Sequence, residues 1–359
     1  MMLRPASKCL PCQAMLAKAF VATIFALCAV APAAERVKLV FSIDQGFGSG
    51  IVVNRDTAAL SRIIAALKTL QARYDVHALF NPQVADRGNL DALLDLLVAA
   101  DLPFVFDVYT SDAMTLGTST KFNAPADGPH GIAISMKDLA AYKERYRKHL
   151  AGLRIMEVFS QDFTVRAIRT TNPEWKGAGW QMPADEFFQY RFAEPFVRFA
   201  RDQKMFVQWS DPHWFTFAGW DKPQEAHEKI LRRLLGEFPG VVIVTYANNE
   251  PEEKSLPRLN SWQSAVGGFV ADGASGFGLS NQSWMHKEEW NCPIGDIIAW
   301  TQQARKLQCR LIQFEPSWYF FALPGGSFGR EDYTKDSLWK NAGTPRATFE
   351  ELKRVLLDD

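Results

Sequence analysis

The sequence predicts an α/β fold, a single (β/α)8 TIM-type barrel. Short apolar runs of strand length alternate with amphipathic stretches of helical length, and this unit recurs eight times. Eight such units favour a closed barrel over an open doubly wound sheet. A dinucleotide-binding sheet is disfavoured, because Gly46-Phe47-Gly48-Ser49-Gly50 lacks the spacing of the phosphate-binding glycines and opens no helix directly.

The N-terminus has the pattern of a secretory leader. Its basic region carries Arg4, Lys8 and Lys18. The uncharged apolar run Ala19–Val30 follows, and Ala31-Pro32-Ala33 fits the small-x-small cleavage rule. The sequence therefore predicts a signal peptide over 1–33, a barrel domain over 34–359 and a secreted or periplasmic protein. The apolar run is short for a membrane span, so no stable membrane insertion is expected after cleavage, although an uncleaved anchor is the alternative.

Eight apolar runs are predicted to form the strands of the barrel. In chain order they are Val37–Ile43, His77–Phe80, Pro103–Val108, Leu153–Phe159, Met205–Trp209, Val241–Tyr246, Gly276–Leu279 and Leu311–Phe314. The second run is short and the seventh begins with glycine, so these two carry the weakest strand signals.

Helices are predicted between the strands. The first shows the helical spacing most clearly, with apolar residues at 60, 63, 64, 67 and 70. The predicted helices are Thr57–Tyr74, Leu90–Ala100, Met136–Leu150, Ala184–Asp202, Gln224–Glu237, Ile294–Lys306 and Phe349–Leu357. Ser135 is a candidate N-cap for the third. The long connections over 110–135 and 160–183 follow strands, where binding sites usually lie.

Charge and cysteine content narrow the function classes. Removing the leader takes three basic and no acidic residues, so the formal net charge changes from 0 to −3. Such a surface argues against nucleic acid as a partner. Cys292 and Cys309 remain after cleavage, and they either form a disulfide in an oxidising compartment or leave Cys309 as a buried thiol.

Three glutamates follow apolar runs directly and are the candidate catalytic residues. Glu250 follows the sixth predicted strand within Asn249-Glu250-Pro251, and Glu315 follows the eighth. Glu157 follows the apolar run Leu153–Met156 within the fourth predicted strand. The C-terminal ends of barrel strands share one face, so these carboxylates are expected to meet in one cleft, as hydrolysis of a glycosidic bond requires. The alternatives are an N-cap cluster for Glu250 and a structural ion pair with an arginine for Glu315.

Other polar and aromatic side chains stand at the ends of nearly every predicted strand. The candidate substrate-binding residues are Asp44, Asp107, Tyr109, Asp211, His213, Trp214, Asn248, Asn249, Asn281, Trp284 and Trp318. Indole faces at strand ends, including that of Trp209, can stack on sugar rings, and the alternative is core packing. The six histidines show no metal-ligand spacing and no Gly-x-Ser-x-Gly occurs, so neither a metal site, a cofactor nor a serine nucleophile is predicted.

The motif Asn249-Glu250-Pro251 resembles the acid/base motif of the large superfamily of retaining barrel glycosidases, although Glu250 follows the sixth strand here instead of the fourth. The strand positions of all three glutamates resemble those of glycoside hydrolase family 98, the inverting endo-β-galactosidases. That resemblance implies that Glu157 is the acid and that Glu250 and Glu315 are the base positions. In that family a β-domain usually follows the barrel, whereas the barrel domain predicted here is expected to extend to residue 359.

The sequence thus predicts a secreted glycoside hydrolase that acts on a polysaccharide or oligosaccharide, with an inverting mechanism. A retaining mechanism would instead use Glu250 as acid/base and Glu315 as nucleophile. A non-catalytic glycan-binding protein is the competing class, and a periplasmic solute-binding protein is a third possibility.

Overall fold

Eight parallel strands close into a barrel in the computed structural model, and each strand pairs with its neighbours in chain order. The strands are β1 (Lys38–Asp44), β2 (Asp75–Phe80), β3 (Phe104–Tyr109), β4 (Leu150–Met156), β5 (Phe206–Ser210), β6 (Val241–Ala247), β7 (Phe277–Gln282) and β8 (Leu311–Glu315). The barrel closes where β1 pairs with β8 over four residue pairs, from Lys38 with Leu311 to Phe41 with Phe314. The predicted fold class is confirmed, including the two strands with weak signals.

The structure describes residues 36–44, 50–52, 54–82, 87–109, 134–156, 158, 172–174, 190–210, 233–238, 240–247, 277–282, 293–315, 317–323 and 341–358. For Asp44, Tyr109 and residues 245–247 and 277–282 it describes the backbone alone.

In the described ranges, helices follow β1, β2, β3, β4, β7 and β8. They are α1 (Thr57–Lys68), α2 (Arg87–Ala99), α3 (Met136–Tyr146), α4 (Tyr190–Asp202), α5 (Ile294–Lys306), α6 (Ser317–Phe320) and α7 (Ala347–Leu357). The Oγ of Ser135 accepts a hydrogen bond from the backbone N–H of Asp138 at 3.1 Å, which confirms the predicted N-cap of α3. Within the described ranges no helix is both long enough and apolar enough to cross a bilayer.

The end of the third predicted helix and both ends of the fourth predicted strand differ from the structure. Helix α3 ends at Tyr146 instead of Leu150, because Arg147 leaves helical geometry at φ 18° and ψ −91°. The chain turns there, and β4 begins at Leu150, three residues earlier than predicted. It ends at Met156, and Val158 is helical, so the predicted extension to Phe159 is wrong. Apolar character continues past the strand end, which is why the pattern misplaced it.

Apolar side chains form two separate layers, one on each face of the barrel wall. The larger layer lies between the strands and the helices and contains aromatic pairs such as Phe41 and Phe314, whose ring centroids are 4.8 Å apart. The smaller layer fills the barrel interior and consists of Val40, Leu79, Val105, Val242, Val244 and Leu311, with Phe206 packed against it. Alternation of side chains along each strand produces this division.

The N-terminal end of the barrel interior is filled by Phe206 and its neighbours. A Cβ on Gly152 would lie 2.7 Å from the Phe206 ring, so glycine at this position makes room for the ring. The ring contacts His77 edge-on with centroids 5.1 Å apart, and the Lys38 ammonium lies 5.5 Å from its centroid. These residues close the end of the barrel that is opposite to the strand C-termini.

Candidate active site

The barrel interior changes from apolar to polar toward the C-terminal ends of the strands. On β1, β3 and β8 the inward-facing residues Val40, Val105 and Leu311 belong to the apolar interior layer. Two residues further along the same strands lie the buried polar residues Ser42, Asp107 and Gln313. The same step occurs on β5. The end of the barrel where parallel barrels place their chemistry is therefore lined with polar groups.

Arg154 is at the centre of this polar region. It comes from β4, its side chain has no solvent exposure, and it contacts carboxylates on two other strands. Nη1 lies 3.3 Å from Oδ2 of Asp107 on β3, and Nη2 lies 2.6 Å from Oε1 of Glu315 on β8. Nη2 also lies 3.0 Å from the sulfur of Met156. A planar guanidinium can serve both carboxylates at once, and each carboxylate stabilises the buried positive charge.

A chain of amide contacts adjoins the ion pairs. Nε2 of Gln313 donates to Oε1 of Glu315 and to Oγ of Ser42, the latter at 3.0 Å. The Oε1 of Gln313 accepts from Nε2 of Gln208, which also donates to Oγ of Ser210 at 3.1 Å. All of these side chains are buried. Both donors to Glu315 reach Oε1, and an ionised carboxylate, which only accepts, satisfies both of them.

Two of the predicted site residues, Asp107 and Glu315, are described in full and are brought together by Arg154. Asp44, Tyr109 and Asn281 lie on β1, β3 and β7, and Asn281 pairs in register with Phe314, the residue before Glu315. Trp318 lies on α6, where it is half-buried and packs against the layer between strands and helices. Trp209 is buried in the same layer beside Tyr190, so it is a core residue.

The remaining predicted site residues lie outside the described residues. They are the catalytic candidates Glu157 and Glu250 and the binding candidates Asp211, His213, Trp214, Asn248, Asn249 and Trp284. Their roles, and the distance between Glu250 and Glu315, stay predictions.

Sequence reasoning missed Arg154, Gln208, Gln313 and the two serines. Each stands inside an apolar strand, at the inward-facing parity and next to residues of the barrel core. A lone arginine in Leu153-Arg154-Ile155-Met156 was the available signal, because a buried charge requires a partner. The predicted disulfide residue Cys309 is a free buried thiol in the structure, and burial raises its pKa. Its proposed partner Cys292 lies outside the described residues.

Metal-ligating side chains do not gather in the part of the chain that the structure describes: it holds no group of three or more His, Cys, Asp or Glu residues that could bind an ion.

Known proteins offer a likeness of fold only. No protein-family model matches the chain. No curated protein matches it either. The glycoside hydrolase domain of PgaB (BpsB) from Bordetella bronchiseptica is 11% identical, with 89% of this chain and 99% of that chain covered and a TM-score of 0.46.

Two further solved structures are also similar to this chain at low identity. A GH5 cellulase from an Icelandic hot spring isolate is 10% identical, with 89% and 87% covered and a TM-score of 0.46. An HpcH/HpaI aldolase from Desulfitobacterium hafniense is also 10% identical, with 78% and 86% covered and a TM-score of 0.33.

Proposed function

We propose that this chain is an exported glycoside hydrolase that acts on a polysaccharide or oligosaccharide. The observation that carries the proposal is the buried carboxylate of Glu315, held by Arg154 and Gln313 at the C-terminal end of the barrel interior. A carboxylate that accepts from two donors is suited to act as a base toward water or as a nucleophile, both of which require the ionised form.

The general acid comes from another strand in this proposal. In the inverting mechanism Glu157 protonates the leaving oxygen, while Glu315 with Glu250 activates water. In the retaining mechanism Glu250 is the acid/base and Glu315 the nucleophile. Pairs of carboxyl groups are about 6.5–9.5 Å apart in inverting enzymes and about 5–5.5 Å apart in retaining ones. The resemblance to glycoside hydrolase family 98 favours the inverting arrangement.

A panel of soluble glycans tests the activity, with β-glucan, xylan, β-galactan, hyaluronan and partly deacetylated poly-N-acetylglucosamine as substrates and new reducing ends as the readout. We expect Glu315→Gln to lower turnover by at least about 100-fold while the protein stays folded, because the amide keeps the shape and loses the basic oxygen. The matched control is Glu351→Gln, an exposed glutamate on α7. Equal turnover of Glu315→Gln and the parent would exclude a catalytic Glu315.

The choice of mechanism follows from Glu157→Gln and from the anomeric configuration of the first product. Loss of an acid slows substrates with poor leaving groups more than activated aryl glycosides. In the inverting mechanism, Glu157→Gln is therefore expected to lose more activity on substrates with poor leaving groups than on activated aryl glycosides. NMR in the first minutes of the reaction should then detect a product of inverted anomeric configuration. In the retaining mechanism Glu157→Gln costs little and the configuration is kept.

A non-catalytic glycan-binding protein is the second candidate, and one observation favours it. The Glu315 side chain is only 1% exposed and is engaged in a buried ion pair, which is also what a structural carboxylate shows. If the parent protein binds glycans of the panel by calorimetry and cleaves none of them, this candidate replaces the hydrolase.

A further inference from the structure

We propose that Arg154 is a positioning residue for Glu315, and that Asp107 anchors Arg154 instead of contacting substrate. The catalytic meaning of this inference rests on the proposed function, because Glu315 is the candidate base or nucleophile. The ion pairs can be tested without any substrate.

The three residues lie on three different strands of the barrel. Strand β4, which carries Arg154, is adjacent to β3 with Asp107 but stands four strands away from β8 with Glu315. In a closed barrel of eight strands, β4 and β8 face each other across the interior. Arg154 therefore crosses the barrel to reach Glu315 at 2.6 Å, while Asp107 at 3.3 Å engages the other end of the guanidinium.

The contacts determine which oxygen of Glu315 is held. Arg154 Nη2 and Gln313 Nε2 both contact Oε1, one from across the barrel and one from the same strand. Two donors on one oxygen restrict rotation of the carboxylate plane, so the orientation of Glu315 depends on both Arg154 and Gln313.

A second bridge of the same kind provides a matched control on the outer surface. Arg145 on α3 joins two carboxylates of α2, with Nη1 2.6 Å from Asp91 Oδ2 and Nη2 3.0 Å from Asp95 Oδ2. Its side chain is 47% exposed, whereas that of Arg154 is fully buried. A lysine at either position keeps the positive charge but presents a single ammonium, which cannot reproduce the planar fork.

The first experiment follows the Glu315 carboxyl carbon by NMR through a pH titration of ¹³Cδ-glutamate-labelled protein, with the signal assigned by its loss in Glu315→Gln. In Arg154→Lys we expect proton uptake by Glu315 at higher pH than in the parent, because the charged donor on Oε1 is weakened. In Asp107→Asn we expect uptake at lower pH, because a like charge is removed and the guanidinium is left to Glu315. Arg145→Lys should leave the titration unchanged.

Opposite directions of these shifts would show that Arg154 couples Asp107 to Glu315, and the kinetic experiment below separates positioning from a merely structural role. If Arg154→Lys does not fold, the downward shift in Asp107→Asn decides alone. Titrations of Asp107→Asn and Arg154→Lys that superimpose on the parent would overturn the inference, as would shifts in the same direction.

The second experiment uses the glycan of the panel that the parent cleaves best. Arg154→Lys should lower kcat about tenfold or more with KM nearly unchanged, since the carboxylate is misplaced while substrate contacts remain. The acid limb of the kcat/KM profile should move in the directions found by NMR. If the parent cleaves no glycan but the NMR shifts occur as expected, the hydrolase proposal fails and the Arg154 bridge stands. An unchanged kcat and acid limb in Arg154→Lys would overturn the positioning role.

Discussion

Arg154 stands in a strand with apolar neighbours, and its charge is tolerated there because Asp107 and Glu315 lie within contact distance. Removal of one partner from such a buried group costs about 3–5 kcal/mol, because the remaining charge is left in a medium of low polarity. The three side chains are therefore a unit, and substitutions among them are expected to be non-additive.

His77 is a buried ionisable group at the opposite end of the barrel interior. Its side chain is 2% exposed, and burial lowers its pKa from 6.5 to about 4, partly offset by Asp75. Between these two pH values the unfolded chain binds more protons than the folded one. The free energy of unfolding therefore rises with pH across this window. The contribution of His77 is complete above about pH 6.5 and is lost as the pH falls toward 4.

We predict that the parent loses about 3 kcal/mol more stability than His77→Asn between pH 6.5 and pH 4, because asparagine has no proton to bind. Asparagine retains a polar group near the carbonyl of Asp75, which lies 3.1 Å from Nδ1 of His77. Urea unfolding at a series of pH values measures the difference. Parallel pH curves for the two proteins would contradict the assignment to His77.

At the scale of elements, the inward faces of β1, β3, β5 and β8 each combine two functions in a few residues. The N-terminal part contributes apolar side chains to the interior core, and the C-terminal part contributes the polar groups of the site. Strand β4 shows this in three alternate positions, since Gly152 accommodates the Phe206 ring, Arg154 carries the buried charge and Met156 contacts the guanidinium.

We predict that Gly152→Ala destabilises the protein by about 1–3 kcal/mol, because the added methyl would overlap a ring that His77 and Lys38 also contact. The control is Gly295→Ala in α5, where nothing lies within 4 Å of the added atom. Alanine should stabilise that helix by about 0.5–1 kcal/mol. Urea unfolding of both variants measures this contrast, and equal effects at the two sites would contradict the packing argument.

At the scale of the whole molecule, the barrel depends on pairing between the two ends of the described chain. Strand β1 pairs with β8, and the Ser317 hydroxyl on α6 donates to the Ile43 carbonyl at 3.0 Å. Near the C-terminus, α7 adds Phe349 to the aromatic cluster around Phe41. Closure is thus the step that completes the site, because it brings Glu315 into the interior.

The leader prediction also belongs to this scale. In a bacterial host we predict cleavage after Ala33, because Ala31 and Ala33 satisfy the small-x-small rule. Intact mass of the periplasmic fraction measures the processed chain. Ala33→Asp should block processing, whereas Ala34→Asp, just outside the small-x-small pair, should be processed. A parent chain that retains the leader would support the uncleaved anchor instead.

The sequence by itself determined the alternation of strands and helices, the number of strands and the placement of Glu315 at a strand end, because these follow from local periodicity. Only the tertiary structure decided that Arg154 belongs to the site. Alternation shows that Arg154 and Met156 share a face of β4, but it does not show which strand lies opposite. Closure of eight strands places β8 across from β4, and this distant pairing determines the partners of the buried charge.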